Sequence, residues 1–383
     1  MNTTETLSPQ MQTFYEKTLI DNAEPKLVYD AFGDKYPIPK NNGKTIQFRR
    51  YSSLPKAKKP LTEGVTPEGR AIEVTAKTAQ VDQYGDYVVL SDMLKLSAID
   101  NNLVQVSKLL GSQAGRTLDS ITRDVLCAGT NVMYMPNKDG ETLSRYQLDK
   151  TSLLTPEVFH RAAAQLNAMN ADTIDGSYIA IVHPYTAYDL MKNPEWMDIH
   201  KYAQPKNIYE GEIGKIGNVR FVVSSEAKVL RSKDLADTRT LSVASVNGAT
   251  ITISESVKDI TSLVGRKISI GDSIASIESA SGKTITLDKS ISAKQGDIIY
   301  PAETGKGGIS CFITLVLGAH AYATTEIEGG GLKHIIKQNG YGEDPLNQRA
   351  SVGWKATKAV MRLVEEYMIR IESASEFSEA EGN

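Results

Sequence analysis

Between Asp100 and Cys127 apolar residues recur at steps of three and four: Leu103, Val106, Leu110, Ala114, Leu118, Ile121 and Val125. That spacing places them on one face of a helix. Asp100 and Asn101 suit its start and Gly129 its stop. About 28 residues at ~1.5 Å each give a rod of roughly 42 Å, well beyond the average helix of about 11–12 residues. Such a rod predicts a spine onto which other chain segments pack. The opposite face carries Lys108, Gln113, Arg116, Asp119, Arg123 and Asp124, and is expected to meet water or a partner. Gly111 and Gly115 each cost about 1 kcal/mol of helix propensity and mark a bend or a close backbone contact.

Before the spine the texture differs. Ser8 to Leu19 reads as a short helix, and Pro25, Pro37 and Pro39 then break the chain, as in an arm draped over something else. From Thr45 to Tyr51 the pattern is that of a strand. Leu54 to Pro67 is polar, with prolines at 55, 60 and 67, which predicts an extended loop. Ile72, Val74, Ala76 and Thr78 alternate with polar residues, and Val81 to Leu90 continues as strand. The whole predicts a long hairpin with too little apolar surface to stabilise itself, suited to lie on a neighbouring subunit.

After the spine, helix and strand patterns alternate, as in a mixed α/β domain. Glu157–Met169 is a helix opened by Thr155-Pro156, Tyr178–His183 a buried strand, Pro184 the start of a helix to about Met191, and Val219–Val223 another strand. Leu241–Tyr300 breaks the alternation. It is rich in Ser, Thr, Ile and Gly and contains an echo: Ser245-Val-Asn-Gly-Ala-Thr-Ile-Thr-Ile repeats as Ser279-Ala-Ser-Gly-Lys-Thr-Ile-Thr-Leu. Short strands with regular glycine turns predict a small antiparallel barrel or sandwich. The α/β texture resumes at Cys311–Leu317, so the β unit reads as an insertion.

Composition excludes several classes. The 383 residues carry 43 Lys/Arg and 46 Asp/Glu, for a net charge of -3, so no global excess drives nucleic-acid binding. No apolar run approaches the ~18 residues of a membrane span, and Met1–Gln10 has no apolar core of a secretory signal. Two cysteines, Cys127 and Cys311, make no disulfide framework and fit a reducing cytoplasm.

Candidate chemistry is sparse. Ser281-Gly-Lys-Thr284 resembles the end of a phosphate loop, yet Ile277 stands where the first glycine belongs. His160, His183, His200, His320 and His334 have no metal-ligand spacing and read as ordinary core or surface residues. Gly111-Ser112-Gln113-Ala114-Gly115 has its serine one place early for a nucleophile elbow. Glu328-Gly-Gly-Gly331 lacks a dinucleotide-binding continuation, and Glu365-Glu366 reads as two solvated carboxylates. No catalytic, cofactor or metal residue is assigned, and no enzymatic activity is expected.

Three stretches together carry a family resemblance: Pro60–Pro67, Gln83–Asp92 and, above all, Gly342-Glu-Asp-Pro-Leu-Asn-Gln-Arg-Ala-Ser-Val-Gly-Trp-Lys355. They resemble the major capsid proteins of tailed bacteriophages, in the podovirus-type branch of the Hong Kong ninety-seven capsid fold. The resemblance spans roughly 10–240 and 303–372, and the insert departs from it. It implies an α+β fold: an N-terminal arm (1–42), an extended β-hairpin loop (43–92), a peripheral domain with the spine helix (93–174), an axial domain in two parts (175–240 and 303–350), an inserted small all-β domain (241–302), and C-terminal strands of the peripheral domain with an acidic tail (351–383).

The function implied is that of a self-assembling shell subunit in the virion. It is built in the host bacterial cytoplasm into hexamers and pentamers that enclose double-stranded DNA without reading its sequence. Scaffolding, portal and decoration proteins are its candidate partners, with no membrane and no cofactor. A nanocompartment shell protein of the same fold is the alternative. The expected assembly residues are Lys56, Lys58, Lys59, Pro60, Glu63 and Arg349. Trp354, set between the signature turn and the apolar Val360, Leu363 and Ile369, is expected to anchor the core against the spine.

Overall fold

The structure is a computed structural model. It describes residues 28–51, 69–91, 102–196, 212–271, 273–337 and 348–377, with positions 54, 56–58, 60, 63 and 346 between them. The expected helix at 8–19, the caps Asp100 and Asn101, and most of the 342–347 turn lie outside the described residues.

The chain divides into two compact units. The first comprises residues 1–122 and 322–363, the second 123–321 and 364–383. Two expected boundaries therefore move. Residues 123–174 go with the second unit, because Val132–Tyr134 pairs in parallel with Met368–Ser373. Residues 322–350 go with the first, because Tyr322–Thr325 and Lys333–Lys337 both pair with Arg349–Arg362. Strand pairing across long sequence separations decides both, and local texture does not report it.

In the first unit the 14-residue strand Arg349–Arg362 is the centre of a five-stranded sheet. Asp82–Ser91 runs antiparallel along its first ten residues, with Trp354 opposite Asp86. Lys333–Lys337 lies on the other edge, with His334 opposite Trp354. The two family-like segments at 83–92 and 349–355 are thus hydrogen-bonded neighbours. Two glycines permit their close approach. A Cβ at Gly85 would stand 2.5 Å from the Trp354 carbonyl oxygen, and one at Gly353 would stand 2.7 Å from the Tyr87 Cβ.

Expectation placed Asp82–Ser91 inside the hairpin. The hairpin proper is Thr45–Tyr51 against Val74–Gln80. It closes where the Val81 amide donates to the Lys44 carbonyl at 2.8 Å, and the chain then leaves for the sheet. At its base Ile46 and Phe48 pack with Ile38, Ala79, Val81 and Ala359.

The helix runs over Asn102–Cys127. Its buried Leu110, Ala114 and Leu118 meet Val352, Trp354 and Ala356 to form one apolar cluster. Trp354 is 3% exposed. Its packing partners correct the expected ones: Ile369 belongs to the core of the second unit, because the strand ends at Arg362 and the chain changes sheets. The polar face is also not uniformly wet. Asp119 and Arg123 are buried, since Asp119 accepts the Tyr29 amide at 2.7 Å and Arg123 reaches the Glu226 carbonyl at 2.6 Å.

The second unit holds a seven-stranded mixed sheet in the order Val132–Tyr134, Met368–Ser373, Cys311–Leu317, Tyr178–Val182, Val219–Val223, Glu212–Ile216, with Val229–Leu230 beside Cys311–Phe312. Tyr178–Val182 and Cys311–Leu317 are buried at every position, as strands covered on both faces are. Helices Pro156–Ala168 and Pro184–Lys192 cover the sheet's apolar side chains, with Phe159 edge-on to Phe221 at 4.6 Å. Cys127 and Cys311 are free and buried, and burial pushes both thiols up to about 12.

Residues 241–301 form a closed six-stranded antiparallel barrel. The sequence echo becomes a pseudo-two-fold. Ile251 pairs with Ile285, its counterpart in the repeat, and the flanking threonines pair symmetrically. Both halves carry a strand bulge at the same place, Val243/Ser245 and Ile277/Ser279. Gly248 and Gly282 turn the two hairpins at φ 63° and 61°. The symmetry extends beyond the legible echo, because Lys267–Ile270 and Ile298–Pro301 pair as counterparts across the same axis.

Candidate assembly surfaces

The hairpin's outer end carries apolar side chains that the described residues leave uncovered. Among the described residues, Tyr51 (65% exposed), Leu54, Ile72 (64%) and Val74 are all open, and Tyr51 pairs with Val74 in the ladder. Strand alternation explains the contrast with the base. Ile46 and Phe48 point toward the body of the unit, and among the described residues no further layer reaches the outer end. Arg49, Arg50, Lys56, Lys58, Pro60 and Glu63 are exposed along the same projection, while Lys59 lies outside the described residues. An arm that is apolar at its end and basic along its length has its binding energy available to another molecule.

A second open surface runs along Asp82–Ser91. Tyr87, Val88 and Val89 are three successive exposed apolar residues on a strand paired on one side in the described structure. Long exposed edges of this kind pair readily with further chains. Arg349 is exposed at the start of the adjoining strand, opposite Ser91. The structure thus gathers Arg349, Ser91 and the Tyr87–Val89 run on two paired strands, and places the hairpin residues on a separate projection.

The groups that sequence reading missed are buried ion pairs. Lys358 is 6% exposed, pairs with Asp30, and donates to the Leu118 carbonyl at 2.9 Å. Asp30 also accepts the Thr122 hydroxyl at 2.5 Å. Burial lowers the Lys358 pKa while the Asp30 charge raises it, and burial wins. In the second unit the Arg145 guanidinium makes a two-pronged contact with the fully buried Glu372 at 2.6 and 2.7 Å. No local motif announces either pair, because the partners lie 328 and 227 residues apart.

The motif candidates fall into structural roles. Ser281–Thr284 is a barrel hairpin turn whose Lys283 donates to the Ser254 carbonyl at 2.7 Å. His183 caps the helix Pro184–Lys192, its Nδ1 accepting the Tyr185 amide at 3.2 Å. Glu365 accepts the Thr130 amide at 3.3 Å. Among the described residues no cluster of three or more His, Cys, Asp or Glu is placed to hold a metal.

No protein-family model and no curated protein matches the sequence. Solved structures do match. The capsid of the cyanophage P-SCSP1u aligns at a TM-score of 0.55 and 13% identity, over 91% of this chain and 88% of that one. The capsid of Ralstonia phage GP4 aligns at 0.55 and 12%, over 89% and 86%. The cyanophage Pam1 capsid aligns at 0.54 and 11%, over 87% and 86%. The fold is that of these phage capsid subunits. Identity this low speaks to the fold alone.

Proposed function

We propose that this chain is the major capsid protein of a tailed bacteriophage. It assembles into hexamers and pentamers of an icosahedral shell that encloses double-stranded DNA, and it resides in the virion. The observation that carries the reading is the open apolar end of the hairpin, Tyr51, Leu54, Ile72 and Val74, on a fold shared with phage capsids over about nine-tenths of the chain. Such a projection gains nothing for its own subunit and much by lying on a neighbour. Each subunit then offers two different surfaces, and heterologous contacts of that kind close into rings and shells.

In this reading Lys56, Lys58, Lys59, Pro60 and Glu63 contact the next subunit, and Arg349 holds a neighbour or the turn before it through its guanidinium fork. Residues 1–42 serve as an arm. Scaffolding, portal and decoration proteins are the candidate further partners, and the role is structural rather than catalytic. Electron microscopy of the expressed chain tests the proposal. Closed icosahedral particles are expected, whereas a chain that stays monomeric under every assembly condition contradicts it. Deleting 56–67 is expected to leave a folded subunit with an unchanged melting temperature and no stable shells.

A further inference from the structure

Three asparagines in the chain directly precede a glycine: Asn42-Gly43, Asn247-Gly248 and Asn339-Gly340. The last step lies outside the described residues. An Asn-Gly step is reactive, because glycine has no Cβ to keep its backbone nitrogen away from the carbonyl carbon of the asparagine side chain. Whether that nitrogen reaches the carbon depends on the freedom of the backbone around it. Both described steps are exposed, and at both glycines a Cβ would stand in open space. Backbone freedom is what separates them.

Asn247 is the last residue of a barrel strand and pairs with Thr250 across a tight turn. The Ala249 carbonyl of that turn accepts the Leu287 amide at 2.9 Å, so the turn is tied to the neighbouring strand as well. Asn42 lies in no strand. Its neighbours Asn41 and Gly43 have φ of 67° and 80°, and every residue from Pro39 to Thr45 is exposed. The Asn42 amide donates to the Pro39 carbonyl at 3.3 Å, and the Gly43 amide donates to no backbone carbonyl among the described residues. This turn is the root of the hairpin. It runs from the bridge Ile38–Ile327 to Lys44, whose carbonyl accepts the Val81 amide.

We propose that Asn42 is a self-modifying site. The Gly43 backbone nitrogen gives up its proton and bonds to the side-chain carbonyl carbon of Asn42. The bond from that carbon to Nδ2 breaks, and ammonia leaves with the proton. The product is a cyclic imide, and water then opens either of its carbonyls to give aspartate or isoaspartate. The sum is a water consumed and an ammonia released, with no oxidant, metal or enzyme. The change places a carboxylate at the hairpin root, between Lys40 and Lys44 in sequence, and the isoaspartyl form adds a backbone carbon there. Asn247 is held back from the same reaction, because ring closure would first have to open its pairing with Thr250. The inference rests on the turn alone and does not depend on the shell reading.

Incubating the full folded chain in mildly alkaline buffer, and the same chain in urea, tests it. Peptide mapping by mass, with enzymatic methyl labelling of isoaspartate, reads each site separately. In the folded chain Asn42 is expected to convert at least about tenfold faster than Asn247, which must first give up ladder hydrogen bonds. In urea the two rates should converge, because the ladder is gone. Asn42→Gln lengthens an exposed side chain, disfavours the ring, and should abolish the signal in that peptide. The proposal is overturned if Asn42 stays intact in the folded chain, or if the two asparagines convert there at the same rate. It is also overturned if the folded ordering persists undiminished in urea, which assigns it to flanking residues, or if Asn42→Gln leaves the isoaspartate signal of that peptide in place.

Discussion

The indole N–H of Trp354 donates to Oε1 of Gln113 at 3.2 Å, tying the long central strand of the first unit to its helix. The same Gln113 donates from Nε2 to Asp86 at 2.6 Å, and Asp86 stands opposite Trp354 in the strand register. Hydrogen bonds from Gln113 and from the Tyr87 amide hold the Asp86 carboxyl below its usual range. One glutamine thus links the two family-like segments, 83–92 and 349–355, with an apolar cluster beneath the indole.

Trp354→Ala is expected to cost on the order of 3–5 kcal/mol, because the indole fills the space between Leu110, Ala114, Leu118 and Ala356. Trp354→Phe keeps much of that packing, loses the bond to Gln113, and should cost clearly less. Chemical denaturation of both variants gives the ordering. Wild-type stability in Trp354→Ala would remove the indole from the core.

The buried Lys358–Asp30 pair makes an asymmetric prediction. Asp30→Ala leaves a buried ammonium with the Leu118 carbonyl and without its nearest carboxylate. A loss of about 3–5 kcal/mol is expected. Adding Lys358→Met should restore a good part of it by removing the stranded charge. A double-mutant cycle on unfolding free energies measures this, and strictly additive losses would contradict it.

His183 predicts an acid-side weakness. Burial lowers its pKa from 6.5 to about 4, and its Nδ1 caps a helix only when unprotonated. The unfolded chain therefore takes up a proton near 6.5 that the folded chain refuses until about 4. The neutral form's stability is full above the unfolded value and declines as pH falls through that window. His183→Asn keeps a capping side chain without titrating, so its melting temperature should fall less between pH 7 and 4.5. Parallel declines in both proteins would clear His183 of the effect.

The barrel is expected to be a removable unit. Leu241 and Ile299 pair directly at its root, so residues 241–301 can be replaced by a short Gly/Ser bridge without stretching the chain. The shortened protein should fold and form particles of the same diameter. A further clamp locates the root: Arg266 meets Glu303 at 2.5 Å and the Asp234 carbonyl at 2.8 Å. Arg266→Ala should lower barrel stability by roughly 1–3 kcal/mol, read by hydrogen exchange at 241–301, with little change elsewhere. Loss of soluble protein on barrel deletion would make the barrel part of the surrounding core.

Much of this molecule is local and therefore legible. The three-and-four spacing around Leu110, Ala114 and Leu118 is sufficient for the spine helix, since helix periodicity needs only neighbours along the chain. The continuous apolar run at 178–182 announces a buried strand, and the Ser245/Ser279 echo announces a repeated β unit. What the tertiary structure alone decided is which distant segments pair. A strand's own residues do not encode its partner, so Asp82–Ser91 read as hairpin although it pairs with Arg349–Lys358. For Asp119 and Arg123 the sequence allows either water or a partner and does not name the partner, because Tyr29 and Glu226 are 90 and 103 residues away. Helices and turns are fixed by interactions over a few residues, whereas sheets and buried ion pairs are fixed by loop closures that only the folded chain makes.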